Sequence, residues 1–199
     1  MLKYSLKLLK QYYSEKVLNN MTKKELRELI KTDKESYKCR NWLSDCYNHF
    51  VCHYVKFFRK IVVVSRKYIY YRDEKGLINK ILMVWYQRKF HLLARKSHIN
   101  IQGKFGKGLK IWHENVIVNR YAVLGDNVQF HGNNCVGNDG KDPKKCPKIG
   151  NNVDIGYGAT IIGDVEIADD IIIGANSLVN KSFTEKGIVI AGVPARKIK

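Results

Sequence analysis

Residues 147–179 read PKIGNNVDIGYGATIIGDVEIADDIIIGANSLV, and their spacing decides the fold. An aliphatic residue falls at every sixth place: Ile149, Ile155, Ile161, Ile167, Ile173 and Val179. Four places after the first five of these come small or aliphatic residues, Val153, Ala159, Val165, Ile171 and Ser177. Gly150, Gly156 and Gly174 directly follow the aliphatic position. A period of six is neither helical nor the simple alternation of a strand. It fits a parallel β-helix, in which each hexad makes one short strand and one corner. Three hexads make a triangular coil of about 18 residues, and the inward aliphatics stack about 4.8 Å apart.

Working outward, the same phase holds upstream at Val118, Leu124, Phe130 and Val136, with Ala122 and Val128 at the fourth place on. Ile99, Phe105 and Ile111 extend the array with an offset of one residue. Between Val136 and Ile149 the chain takes thirteen steps rather than twelve, with no inward aliphatic. Residues 137–148 are therefore expected to loop out of the coil, with Asn138, Asp139 and Lys141 as candidate substrate contacts.

Before residue 97 the sequence has another character. Residues 1–100 carry 23 Lys/Arg against 8 Asp/Glu, so +15 of the chain's +18 lies in this half. Thr22-Lys-Lys-Glu25 has the form of a capping box before Leu26, Leu29 and Ile30 at helical spacing. Residues 37–71, aromatic and basic, are expected to form a long helix, with the β-branched Ile61–Val64 run ambiguous. Gly76 breaks the chain, and Leu77–Lys96 reads as an amphipathic helix. The expected organisation is a basic helical region, 1–96, followed by a β-helical domain, 97–199. The fold class is mainly β, a parallel β-helix preceded by α-helices.

The basic half is compatible with nucleic acid, an anionic membrane surface, an acidic substrate, or a solvated helical surface alone. No stretch of about 18 apolar residues suggests a membrane-spanning helix. The first residues do not read as a secretory signal, and five cysteines without a dense framework fit reduced thiols. A cytoplasmic location, peripheral to the inner membrane face, is the expectation. Cys46, His49 and His53 share one helical face, more in keeping with a packed face than a metal site.

His113 follows Ile111, and His131 follows Phe130. Three hexads separate the two histidines, so they are expected to stack in neighbouring coils. They read either as ordinary corner residues or as a site.

Residues 99–199 resemble the serine acetyltransferase branch of the hexapeptide acyltransferases. The resemblance rests on Gly106-Lys-Gly-Leu-Lys-Ile-Trp-His113, Val116-Ile-Val-Asn119, Ala122-Val-Leu-Gly-Asp-Asn-Val128, Pro147-Lys-Ile-Gly-Asn-Asn-Val153, Ile173-Gly-Ala-Asn-Ser177 and Ala191-Gly-Val-Pro-Ala-Arg196. The helices before them, ending in Trp85-Tyr-Gln-Arg-Lys89, are similar to those of acetyltransferases from surface-polysaccharide clusters. The resemblance implies a left-handed β-helix, acetyl-CoA as co-substrate, no metal, and a homotrimer. It implies His113 as general base and no cysteine nucleophile; His131, expected beside it from the hexad spacing, and Glu114, a candidate to orient it, complete the catalytic set. Tyr157 and Ala175 match coenzyme-contact positions; Lys181, Arg196 and Lys197 are candidates for its phosphates.

Three positions depart from the family pattern. His98 and Trp112 stand where the family has aspartates, and Cys146 where it has a substrate-binding histidine. On that ground the leading expectation is a sugar or polysaccharide-precursor acceptor, and serine the alternative. A β-helical carbonic anhydrase would need a close histidine pair that His98, His113 and His131 do not supply. No nucleic-acid recognition motif is present.

Overall fold

The computed structural model describes residues 21–38 and 53–199. Three described helices come first: α1 (Lys23–Ser36), α2 (His53–Asp73) and α3 (Leu77–Ser97). The α1 capping box forms as expected: the Glu25 N–H donates to Thr22 Oγ1 at 3.2 Å and the Thr22 N–H to the Glu25 carboxylate at 2.9 Å. Of the long helix expected over 37–71, the described part from His53 onward is helical as α2; at the other end Tyr37 is instead the C-cap of α1, and residues 39–52 lie outside the described residues. The Ile61–Val64 run is helical within α2, and Ile61, Val62 and Val64 pack into the core. Cys46 and His49 lie outside the described residues.

The rest is a solenoid of fifteen short strands in three sheets. Sheet A stacks β1 (Asn100–Ile101), β4 (Val116–Val118), β7 (Asn134–Gly137), β10 (Thr160–Ile162) and β13 (Leu178–Val179). Sheet B stacks β2 (Lys104–Phe105), β5 (Val123–Leu124), β8 (Lys148–Ile149) and β11 (Glu166–Ile167). Sheet C stacks β3 (Lys110–Ile111), β6 (Gln129–Phe130), β9 (Asp154–Ile155), β12 (Ile172–Ile173) and β14 (Val189–Gly192). All these pairings are parallel; β15 (Ala195–Lys197) turns back antiparallel on β14.

The register puts the predicted aliphatics in three inward columns. Val118, Val136, Ile161 and Val179 line sheet A; Leu124, Ile149 and Ile167 line sheet B; Phe130, Ile155 and Ile173 line sheet C. Each is at most 2% exposed, and burying one such side chain contributes about 1.5–3 kcal/mol. The first coil corrects the expected phase: Ile101, not Ile99, pairs with Val118. Ile99 is also fully buried. The coil from Ile111 to Phe130 takes 19 residues rather than 18, a shift that matters at the site.

Asn and Asp occupy the corners because they tolerate left-handed backbone and can bond the next coil. Asn127 Nδ2 donates to Asn152 Oδ1 at 3.0 Å, and Asn152 Nδ2 to Asp170 Oδ1 at 2.9 Å. All three residues have positive φ.

Helices α2 and α3 share one core with the solenoid, and Tyr37, the C-cap of α1, packs against it. Arg66 of α2 holds Asp33 of α1 through two bonds, 2.5 and 3.0 Å, and donates to the carbonyls of Phe105 and Gly106. The Gly108 N–H also donates to Asp33, and the Ile111 N–H to the Tyr37 hydroxyl. Burial pushes the Asp33 carboxyl above its ordinary range, against the lowering effect of Arg66.

Candidate active site

His113 stands just past β3, at the corner where sheet C gives way to sheet A. Its imidazole is exposed. The 19-residue coil sets its neighbours. The Trp112 N–H donates to the Phe130 carbonyl, and the Asn133 N–H to the Glu114 carbonyl, which places His113 against Gly132. Gly132 has φ +110°, and a β-carbon on it would lie 2.5 Å from the His113 β-carbon. In the next coil the Tyr157 ring meets the imidazole edge-on, with centroids 6.4 Å apart. The register continues the column to Ala175, whose neighbour Asn176 donates its N–H to the Tyr157 carbonyl. Three residues named from sequence, His113, Tyr157 and Ala175, thus share one column at one corner.

His131 is not in that column, contrary to the expected stacking of the two histidines. The extra residue in the coil puts it opposite Trp112 instead, with ring centroids 6.4 Å apart. His131 Nε2 lies 2.7 Å from Asp154 Oδ1, across β6 and β9. Trp112 is 48% exposed and donates its indole N–H to Gln129 Oε1 at 3.2 Å. The Glu114 carboxylate makes no hydrogen bond or ion pair among the described residues.

Sequence reasoning missed Asp154, Asn134 and the contact role of Gly132. Asn134 is 2% exposed. It accepts the Gly132 N–H and donates to the carbonyls of Gly156 and Ala159, so it fixes the turn beneath His113. The signal for Asp154 was in the hexads. It precedes inward Ile155 as Gln129 precedes Phe130, but the extruded loop hides the stacking.

Loop residues Asn138, Asp139 and Lys141 leave from the other end of sheet A, after β7. Within one chain they are not brought to His113. Asp139 Oδ1 accepts the Lys141 N–H at 3.1 Å, so the loop folds on itself. Lys181 also lies beyond the far end of sheet A, with its ammonium 5.4 Å from the Phe183 ring centre. Arg196 and Lys197 sit on β15 in sheet C, and Lys197 pairs with Glu185 at 2.6 Å. Arg196 has no ion pair among the described residues.

The family departures can also be placed. His98 is the exposed left-handed C-cap of α3. Cys146 is 3% exposed and directs its thiol to the Pro143 carbonyl. Burial pushes the Cys135 and Cys146 thiols up, which keeps them protonated and poor nucleophiles. Among the described residues there is no cluster of three metal-ligating side chains.

No protein-family model matches the chain. It is 37% identical to serine acetyltransferase of Staphylococcus aureus strain Mu50 over 98 residues, 48% of this chain and 46% of the relative. The same figures hold for serine acetyltransferase of Staphylococcus epidermidis strain ATCC 12228. Soybean serine acetyltransferase complexed with serine superposes with a TM-score of 0.70 at 25% identity, over 87% of this chain and 69% of that one. Serine acetyltransferase in complex with coenzyme A from Brucella abortus strain S19 superposes with a TM-score of 0.69 at 27% identity, over 88% and 68%. The fold is that of the serine acetyltransferases. It is a left-handed β-helix preceded by helices. The chain spans about half the length of the curated serine acetyltransferases it matches.

Proposed function

We propose that this protein transfers the acetyl group of acetyl-CoA to the hydroxyl of a small acceptor, L-serine first among them, with His113 as general base. One observation carries the reading. An exposed imidazole is held by Gly132 and Tyr157 at the head of a column of outward positions, in a fold shared with serine acetyltransferases of both bound states.

The mechanism needs only that imidazole and the two substrates. Neutral His113 accepts the acceptor's hydroxyl proton as the oxygen attacks the thioester carbonyl. The tetrahedral intermediate collapses, the C–S bond breaks, and the coenzyme thiolate leaves. The imidazolium returns its proton to that sulfur, which regenerates the base and releases CoA. Direct transfer fits the raised thiol pKa of both described cysteines, Cys146 buried and Cys135 half-buried. The Tyr157–Ala175 column supplies a surface for the pantetheine arm, and Arg196, without an ion pair among the described residues, a cation for a phosphate. Exposed Ile117, Tyr121 and Ile172 on the solenoid support assembly of chains side by side, as a homotrimer.

The named relatives favour serine over the sugar acceptor expected from sequence. A sugar hydroxyl stands as the second reading because of Trp112, an exposed flat ring held next to the histidines, on which a sugar face can stack. A CoA-release assay with L-serine, nucleotide sugars and oligosaccharides separates the two. Release with L-serine alone supports the first; release only with sugars reverses the choice; no release with any hydroxyl acceptor contradicts both.

A further inference from the structure

A cavity of about 480 Å³ opens between the three helices, away from the solenoid columns. Six cations line it: Lys34 of α1, Lys56, Arg59, Lys60 and Lys67 of α2, and Lys89 of α3. No carboxylate is among the lining residues, and none of the six has an ion pair among the described residues. Trp85 and Tyr86 form its aromatic wall. The Lys89 ammonium lies 4.7 Å from the Trp85 ring centre, and that of Lys67 5.2 Å from the Tyr86 ring centre. Six cations converging on one cavity repel one another, and with no carboxylate among the described lining residues they form a field that draws a polyanion.

Trp85 also belongs to a second feature. Leu77, Ile78, Ile81, Val84 and Trp85 of α3 are 53–75% exposed. At helical spacing they fall within an arc of about 120°. Arg88, Lys89, Arg95 and Lys96 continue the same side of the helix. An apolar stripe, an interfacial tryptophan and flanking cations are what a helix lying in a bilayer surface presents.

We infer that the α2–α3 face docks on an anionic phospholipid surface, the cavity receiving headgroup phosphates while the α3 stripe enters the acyl boundary. Charge complementarity selects this occupant. A nucleic acid would use the cations but leave the apolar stripe without a role. A two-fold contact with a second copy would bring two cavities of like charge together. The inference is independent of the acetyl-transfer reading.

Flotation of the 199-residue chain with vesicles tests it. The protein is expected to float with phosphatidylcholine vesicles containing phosphatidylserine, not with phosphatidylcholine alone, and to be released by salt. Lys60→Glu combined with Lys67→Glu should lower partitioning by about tenfold or more, and Ile81→Gln combined with Trp85→Gln should lower it comparably. CoA release with a soluble acceptor and the circular dichroism spectrum should stay unchanged in both variants. Equal binding to neutral vesicles, or full binding by either variant, overturns the inference. So does capture of a DNA duplex, or of inorganic pyrophosphate, by a protein that fails to float with anionic vesicles.

Discussion

The β-carbon of His113 lies where no β-carbon on Gly132 could coexist with it, at a separation of only 2.5 Å. The imidazole's position is therefore written partly into a glycine one coil away. Gly132 also has φ +110°, which an L side chain rarely adopts.

Gly132→Ala should displace His113 rather than unfold the solenoid, whose inward columns do not include residue 132. The expected result is a fall in kcat for CoA release of about 100-fold, with the circular dichroism spectrum retained. Asn134→Ala removes the brace under the same turn and should act in the same direction, more weakly.

His131 and Asp154 form a pair of their own, one step out of register with His113. If His113 is the base, His131→Ala and Asp154→Asn should each change kcat by less than about tenfold, with the larger effect in KM for the acceptor. A loss equal to that of His113→Ala would transfer the base role to His131.

The buried pair that joins helices to solenoid is 4% exposed at Arg66 and 0% at Asp33. Arg66→Leu leaves Asp33 buried without its counter-charge, and a loss of about 3–5 kcal/mol in unfolding free energy is expected. The sign with pH follows from the carboxyl. Burial already raises its folded-state pKa, and loss of Arg66 raises it further. Below the unfolded carboxylate pKa both states are protonated, so this penalty is absent; it grows as pH rises through the folded pKa. Urea titrations at several pH values should show the variant approaching wild type in acid. A pH-independent difference would contradict the account.

Neither described thiol acts in the proposed chemistry. Cys135→Ala and Cys146→Ala should keep kcat within about threefold of wild type. Both thiols should also alkylate slowly near neutral pH, because burial holds them protonated. Accumulation of an acetyl-thioester on either, seen by mass spectrometry, would contradict direct transfer.

The solenoid was legible because its determinants are local and repeated. Each hexad states the inward residue and the corner again, and a single error of phase cannot erase twelve agreements. The first coil was misread at Ile99 because both Ile99 and Ile101 are buried there, and only pairing with Val118 distinguishes them. The site suffered from the same insensitivity. The one-residue offset after Ile111 shows in the hexads, but a count of three hexads between the histidines passes over it, and it moves His131 from the column of His113 to that of Trp112. Asp33 with Arg66, 33 residues apart, carries no periodic signal at all. Serine was set behind a sugar because three polar positions differ; the named relatives favour the reverse order, and the acceptor assay decides between them.

The most direct test of the central claim is kcat/KM for acetyl-CoA-dependent CoA release by wild type and by His113→Asn, with the acceptor that wild type uses. Loss of general-base catalysis should lower it by about 10²- to 10⁴-fold, with the folded spectrum unchanged. Activity within about twofold of wild type would show that His113 is not the base.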